Sequence, residues 1–121
     1  MMDKLIQEVT ELVEREYGRA SAKFGCTNNS DHESYAVLLE ECEEAEAEYE
    51  GVQRAMAYLW ALIKKNDADD TKFEACHRLQ KRAMLAACEF IQVAAMAKKA
   101  AMTVGDRNVV LDLTGAAGDP E

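Results

Sequence analysis

A seven-residue repeat of apolar side chains runs through the middle of this chain and narrows its possible folds more than any other feature. Two interleaved series form it: Tyr35, Cys42, Tyr49, Met56 and Ile63, and Leu38, Ala45, Val52 and Leu59. A 3.5-residue period is typical of helices that pack side by side in bundles and coiled coils. It predicts one long helix from about Asp31 to about Lys65. Gly51 interrupts the pattern, so we expect a kink or a close helix contact there.

Similar patterns on both sides of this segment predict two further helices. Between Asp3 and Phe24 the apolar residues recur every three or four positions, as in an amphipathic helix. A third helix is expected from about Lys72 to Val104, and its repeat is mostly alanine. The two series there are Phe73, Gln80, Ala87, Ala94 and Ala101, and Cys76, Ala83, Phe90 and Ala97. Small residues along a helix allow a partner helix to approach closely.

Local residue choices support these helix starts and an all-α fold. Ser30 and Thr71 are each followed three residues later by a glutamate, which is the capping-box pattern that opens helices. The single proline, Pro120, lies near the C-terminal end and interrupts none of the three segments. With 121 residues the chain is long enough for one domain. We predict a single helical domain of residues 1–105 and a partly flexible tail of residues 106–121.

Three helices supply few packing surfaces for the number of apolar residues present. Two of the predicted helices are around thirty residues long, and much of the circumference from residue 83 to residue 97 is apolar. A helix of this kind is expected to be buried on more than one side. The sequence therefore predicts a long-helix bundle whose core is completed by oligomerisation, as a homodimer or homotetramer.

Charge and cysteine content exclude several classes of function. A net charge of −9 argues against a nucleic-acid polymer as partner, because such binding depends on lysine and arginine. No apolar run is long enough for a membrane span, and the N-terminus is unlike a secretion signal, so we expect a cytoplasmic protein. The cysteines have no Cys-x-x-Cys spacing and are expected to be buried thiols rather than zinc ligands: Cys26, Cys42, Cys76 and Cys88.

The residues with the clearest chemical potential are glutamates. Seven of the eleven residues from 40 to 50 are glutamate, and neighbours three or four apart on a helix repel unless solvent or a cation separates them. Glu41 and Glu44 project from one helix face, and Glu41 borders the apolar series. Glu46, Glu48 and Glu50 are interpreted as a solvated face. The run therefore divides into a candidate site and an exposed remainder.

A second polar pair lies in the third predicted helix. Glu89 and Gln92 are three residues apart inside an otherwise apolar run, where a charge is costly without a partner. A lysine could pair with Glu89, but Lys81 and Lys98 do not stand three or four positions away. Facing carboxylates across a helical bundle hold hard divalent ions, and oxygen ligands favour Mg²⁺ or Mn²⁺.

Two segments resemble a known family. Residues 32–44 (HESYAVLLEECEE) and 89–97 (EFIQVAAMA) are similar to the short phage and bacterial forms of the MazG-like, all-α nucleoside triphosphate pyrophosphohydrolases. The resemblance covers residues 23–99. The family carries Glu-Glu-x-x-Glu and Glu-x-x-Asp motifs that hold magnesium, and the resemblance implies metal ligation by Glu41, Glu44 and Glu89. Gln92 stands where the family usually has Asp, so this ligand would be neutral. Glu40 would orient or deprotonate the attacking water.

The resemblance also implies a reaction, in which water attacks the α-phosphorus of a nucleoside triphosphate to give the monophosphate and pyrophosphate. Lys98 and Lys99 could reach phosphates, or could form a solvated helix end. His32 could meet the base or sugar, or could simply occupy the first turn of its helix. The competing function is a helical oligomerisation or adaptor protein that retains the bundle with weakened catalysis, and Gln92 would be the sign of that loss.

Overall fold

The computed structural model describes residues 2–106, and this part of the chain consists of three α-helices. They are α1 (Met2–Phe24), α2 (Asp31–Lys64) and α3 (Asp69–Val104). α3 packs against both other helices, whereas α1 and α2 make no close backbone contact within residues 2–106. The prediction of an all-α fold is confirmed. No helix in this range combines the length and apolar character that a membrane span requires. The predicted tail falls, apart from Asp106, outside the described residues.

The start of α2 follows its sequence pattern. Ser30 has an extended backbone and its hydroxyl oxygen accepts a hydrogen bond from the Glu33 backbone N–H at 3.1 Å. The Glu33 carboxylate accepts from the backbone N–H of Asn29 instead of that of Ser30. The prediction of a cap at Ser30 is therefore confirmed, with the return bond shifted by one residue. Such caps satisfy backbone donors that the first helical turn leaves unpaired.

The predicted start of α3 is wrong by about one turn. The helix begins at Asp69, its N-cap is Ala68, and no side chain caps it. The Lys72 backbone N–H already donates to the Ala68 carbonyl at 3.0 Å, so Thr71 lies inside the first turn and caps nothing. Asp69 and Asp70 fall in this first turn, where negative charge is favoured by the helix dipole. Those aspartates, rather than a capping box, mark the helix start.

Small side chains form most of the core between α2 and α3. Its buried hydrophobic members are Ala45, Ala55, Leu62, Ala75, Ala86 and Ala95. Alanine allows two helix backbones to approach closely. Gly51 is also buried, and a Cβ atom at that position would lie 3.4 Å from Cδ of Arg82 on α3. The close helix contact expected at Gly51 is therefore present.

Most of the large apolar side chains lie outside this core in the single chain. On α2 the series from Leu38 to Leu59 faces inward, whereas the other series is exposed, with Tyr35 at 68% and Met56 at 53%. Both predicted series on α3 are exposed, and α3 buries Ala75, Ala86 and Ala95 instead. The sequence therefore predicts the wrong packing face for α3 within the single chain. The prediction of buried thiols is also wrong, because all four cysteines are exposed.

Polar contacts attach α1 to the C-terminal half of α3. The Gln92 side-chain amide donates to a Glu16 carboxylate oxygen at 2.7 Å, and Lys98 pairs with Glu14. In the loop after α1, the Asn28 backbone N–H donates to the Thr103 hydroxyl oxygen at 2.8 Å. The loop after α1 therefore lies beside the C-terminal end of α3.

The alanine contact between α2 and α3 can be tested by overpacking. Ala45 is 1% exposed, so Ala45→Leu should push the helices apart and lower the free energy of unfolding by about 1–3 kcal/mol. Ala47→Leu is the matched control, because Ala47 lies two residues away on the same helix and is exposed. Its effect should stay within about 0.5 kcal/mol. Urea denaturation measures both, and equal effects would contradict the packing described.

Candidate metal site

Three glutamates from two helices come together on the α2–α3 pair. One carboxylate oxygen from each of Glu41, Glu44 and Glu89 lies within 4.8 Å of the other two. Glu41 and Glu44 are one turn apart on α2, and a turn of four residues reverses the chain so that Glu89 on α3 lies opposite them. We call these three residues the acidic cluster. The sequence predicted all three as metal ligands.

The surroundings of Glu41 disfavour its negative charge. Partial burial raises the pKa of the Glu41 carboxyl above its ordinary value, and the nearby charges of Glu44, Glu89 and Glu40 raise it further. Among the described residues, no lysine or arginine nitrogen lies within ion-pair distance of any member of the acidic cluster. The lysine partner considered for Glu89 is therefore absent there. The cluster holds repelling charges that a cation would relieve.

The donor set fits a hard divalent cation. In an octahedral Mg²⁺ site with oxygens at about 2.0–2.1 Å, neighbouring oxygens lie about 3 Å apart and opposite oxygens about 4 Å apart. The three oxygens of the acidic cluster lie within 4.8 Å of one another, which is the range in which they could share one ion. Oxygen donors favour Mg²⁺ or Mn²⁺ over zinc. Glu44 is exposed while Glu41 and Glu89 are half-buried, which leaves one side open to a ligand.

Gln92, the predicted neutral ligand, lies one turn beyond Glu89 and contacts α1. Its amide nitrogen donates to Glu16, whose other carboxylate oxygen pairs with Arg19 at 2.9 Å. Only the carbonyl oxygen of an amide can bind a metal, and this hydrogen bond occupies the nitrogen side of the group. Glu16 was not among the predicted residues. It links α1 to the residue that follows the acidic cluster on α3.

The other predicted residues have different positions. Glu40 is exposed and next to Glu41, near enough to contribute to its raised pKa. His32 is exposed in the first turn of α2, nine residues or about 13 Å before Glu41 along the helix. Lys98 is held by Glu14 and lies 4.9 Å from the Tyr17 ring. Lys99 is only 8% exposed, so the interpretation as a solvated helix end is wrong for Lys99.

The interpretation of Glu46, Glu48 and Glu50 as a solvated face is confirmed in part. Glu46 and Glu50 are exposed, as expected. Glu48 is half-buried instead, and its Oε1 atom is shielded from water without a hydrogen-bond partner among the described residues. That oxygen lies 3.9 Å from the Arg82 Nη1 atom of α3, which is longer than a hydrogen bond. The interpretation of Glu48 as solvated is therefore wrong.

Comparison with known proteins gives no match: no family model fits the chain, and neither the curated proteins nor the solved structures contain a similar one at a significant level. The family resemblance of residues 32–44 and 89–97 therefore stays a prediction.

The raised pKa of Glu41 predicts a pH-dependent stability difference. Because the pKa is higher in the folded state, protonated Glu41 favours folding, and this contribution is lost as the pH rises through the folded-state pKa. Glu41→Gln mimics the protonated form. Without divalent metal at pH 7 it should stabilise the fold by about 0.5–1 kcal/mol, since it removes two or more glutamate repulsions. Below about pH 4 the difference should vanish.

Thermal unfolding across this pH range measures the effect. Glu50→Gln is the control, because Glu50 belongs to the same run but is exposed and outside the acidic cluster. An equal stabilisation by both substitutions would show that the acidic cluster is no more strained than the rest of the run.

Proposed function

We propose that this protein is a magnesium-dependent pyrophosphohydrolase that converts a nucleoside or deoxynucleoside triphosphate to the monophosphate and pyrophosphate. The observation that carries the proposal is the meeting of three carboxylates without a basic partner among the described residues. They lie on two packed helices at the positions the family resemblance assigns to metal ligands. Nucleoside triphosphates are cytoplasmic metabolites, which agrees with the expected location.

Each residue has a defined task in this proposal. Glu41, Glu44 and Glu89 would hold Mg²⁺, with the Gln92 carbonyl oxygen as a neutral fourth ligand. The bound cation would neutralise and polarise the phosphate oxygens. Glu40, exposed beside Glu41, would accept a proton from the water that attacks the α-phosphorus. The bond between the α-phosphorus and the bridging oxygen then breaks, and pyrophosphate leaves with that oxygen.

The charge balance supports a cation at this position. A net charge of −9 repels a triphosphate, and the acidic cluster adds to that repulsion locally. A divalent ion between the carboxylates and the phosphates changes both contacts from repulsive to attractive. Of the other predicted substrate contacts, Lys99 shares its helix side with Gln92, since seven residues make two helical turns. Lys99 has no carboxylate within ion-pair distance among the described residues, whereas Lys98 is paired with Glu14, so Lys99 is the lysine left to act at a phosphate.

A panel of nucleoside and deoxynucleoside triphosphates, with pyrophosphate release as the readout, tests the proposal. At least one substrate should be cleaved with Mg²⁺ and not with a chelator. Glu41→Gln and Glu89→Gln should each lower the rate at least about 100-fold, because each removes a charged metal ligand. Glu50→Gln should retain activity. Gln92→Asp should lower the Mg²⁺ concentration needed for half-maximal rate, since a carboxylate replaces a neutral oxygen.

The enzymatic proposal would be overturned if no triphosphate in the panel were cleaved and Mg²⁺ with a non-hydrolysable nucleotide caused no thermal shift. The alternative is then a helical oligomerisation or adaptor protein. The observation that favours this second function is the exposed apolar surface of α2, which includes Tyr49 at 50% and Met56 at 53%. A surface of that kind is typical of interaction sites.

Both functions involve a partner for this surface, and we propose a second copy of the chain as a homodimer or homotetramer. The wild-type protein should elute as an oligomer in size-exclusion chromatography with light scattering. Met56→Lys should shift it toward the monomer, because it places a charge in the exposed series of α2. Ala57→Lys is the control, since Ala57 is exposed but belongs to neither apolar series. A wild-type monomer at all concentrations would contradict the assembly.

A further inference from the structure

Three arginines line one cavity at the α2–α3 interface, separate from the acidic cluster. The cavity measures about 230 Å³ and lies between Arg54 and Tyr58 of α2 and Arg78 and Arg82 of α3, with Gly51 in its wall. We call it the arginine cavity. Arg82, the arginine nearest to the acidic cluster, is seven residues or about 10 Å before Glu89 along α3, and Arg78 is eleven residues or about 16 Å before it.

The guanidinium groups in this cavity are only partly neutralised. Arg82 has Glu48 as its nearest carboxylate, at 3.9 Å, which is too long for a hydrogen bond. Among the described residues, Arg54 and Arg78 have no carboxylate within ion-pair distance. Arg78 lies 5.6 Å from the centre of the Tyr58 ring, a contact that orients the guanidinium while leaving its N–H donors available. Three arginine side chains therefore line one cavity in a strongly acidic chain.

The chemistry and the size of the arginine cavity point to one class of ligand. Arginine presents paired N–H donors that match the oxygens of phosphate, and several arginines together are a common means of binding phosphate groups. Small-molecule pockets commonly span about 300–1,000 Å³, so about 230 Å³ suits phosphate groups better than a complete nucleotide. We propose that Arg54, Arg78 and Arg82 bind the phosphate groups of an oligophosphate ligand in this cavity.

Two sources of such phosphate are consistent with the position of the cavity. One is the terminal phosphate of a nucleotide bound at the acidic cluster, which would meet Arg82, the arginine nearest to that cluster, and only this assignment rests on the proposed function. The other is a separate phosphorylated molecule, such as pyrophosphate. Glu48 lies between the two sites, one turn beyond Glu44 on α2, and its charge opposes any anion that approaches Arg82.

Calorimetric titration with tripolyphosphate, without divalent metal and at low salt, tests the proposal. This probe has no base or sugar, and without metal its binding does not depend on the acidic cluster. The wild-type protein should bind it, and Arg82→Gln and Arg78→Gln should each weaken binding at least about tenfold. Arg15→Gln on α1 is the control and should change nothing, because Arg15 is exposed and outside the cavity. Glu48→Gln should tighten binding, an effect that loss of structure could not produce.

Because Arg82 packs on Gly51, circular dichroism should accompany each variant, and Arg54→Gln provides an independent substitution of an exposed residue. No binding by the folded wild type, or equal binding by the Arg82→Gln, Arg54→Gln and Arg15→Gln variants, would overturn the proposal. A non-hydrolysable nucleotide with Mg²⁺ identifies the source: weaker binding by Arg82→Gln assigns the phosphate to the nucleotide, and unchanged binding assigns it to a separate molecule. Both results keep the phosphate site, whereas the proposed function fails only if no triphosphate is cleaved.

Discussion

The close approach of α2 and α3 over alanine side chains is the contact on which the other features of this molecule depend. Ala45 is 1% exposed and Ala95 is fully buried, and side chains of this size keep two helix backbones near each other. Glutamates at the border of that contact can then reach across it, which brings Glu89 to within 4.8 Å of Glu41 and Glu44. The same approach at Gly51 places the stem of Arg82 against α2. Larger core residues would separate both groups of side chains.

Packing through alanine leaves much apolar surface exposed on the single chain. Helices that meet through alanine bury little area per residue, and the hydrophobic contribution to stability scales with buried area. The large side chains, such as Tyr35 and Phe90, remain exposed on the single chain. α1 adds little apolar cover, because its own Leu5, Val9 and Leu12 are exposed. Its contacts with α3 include the Glu16–Gln92 hydrogen bond and the Glu14–Lys98 ion pair. Packing through alanine therefore explains both the exposed apolar surface and the small area buried in the core.

The sequence predicted the properties that depend on helical periodicity. It did not predict which face of α3 packs against its neighbours. Helix lengths and the Ser30 cap follow from local rules, and Glu41, Glu44 and Glu89 were found because helical spacing and an apolar surrounding identify them. The rotation of α3 could not be predicted, because residues 83–97 are apolar around much of the helix and several faces satisfy the same pattern. The arginine cavity draws on two helices, so no single segment shows it. The contact of Glu16 with Gln92 likewise depends on how α1 docks.

Charge is arranged in order along the α2–α3 interface, and that order limits what can bind there. The acidic cluster comes first, Glu48 follows one turn later, and the three arginines line the cavity beyond it. A free cation is attracted to the acidic cluster and repelled by the arginines. A free anion is attracted to the arginines and repelled by the acidic cluster. A ligand that presents a divalent cation at one end and bare phosphate at the other complements both regions together. A metal-bound oligophosphate has that distribution of charge, and Arg82, the arginine nearest to the acidic cluster, is where its phosphate end would bind.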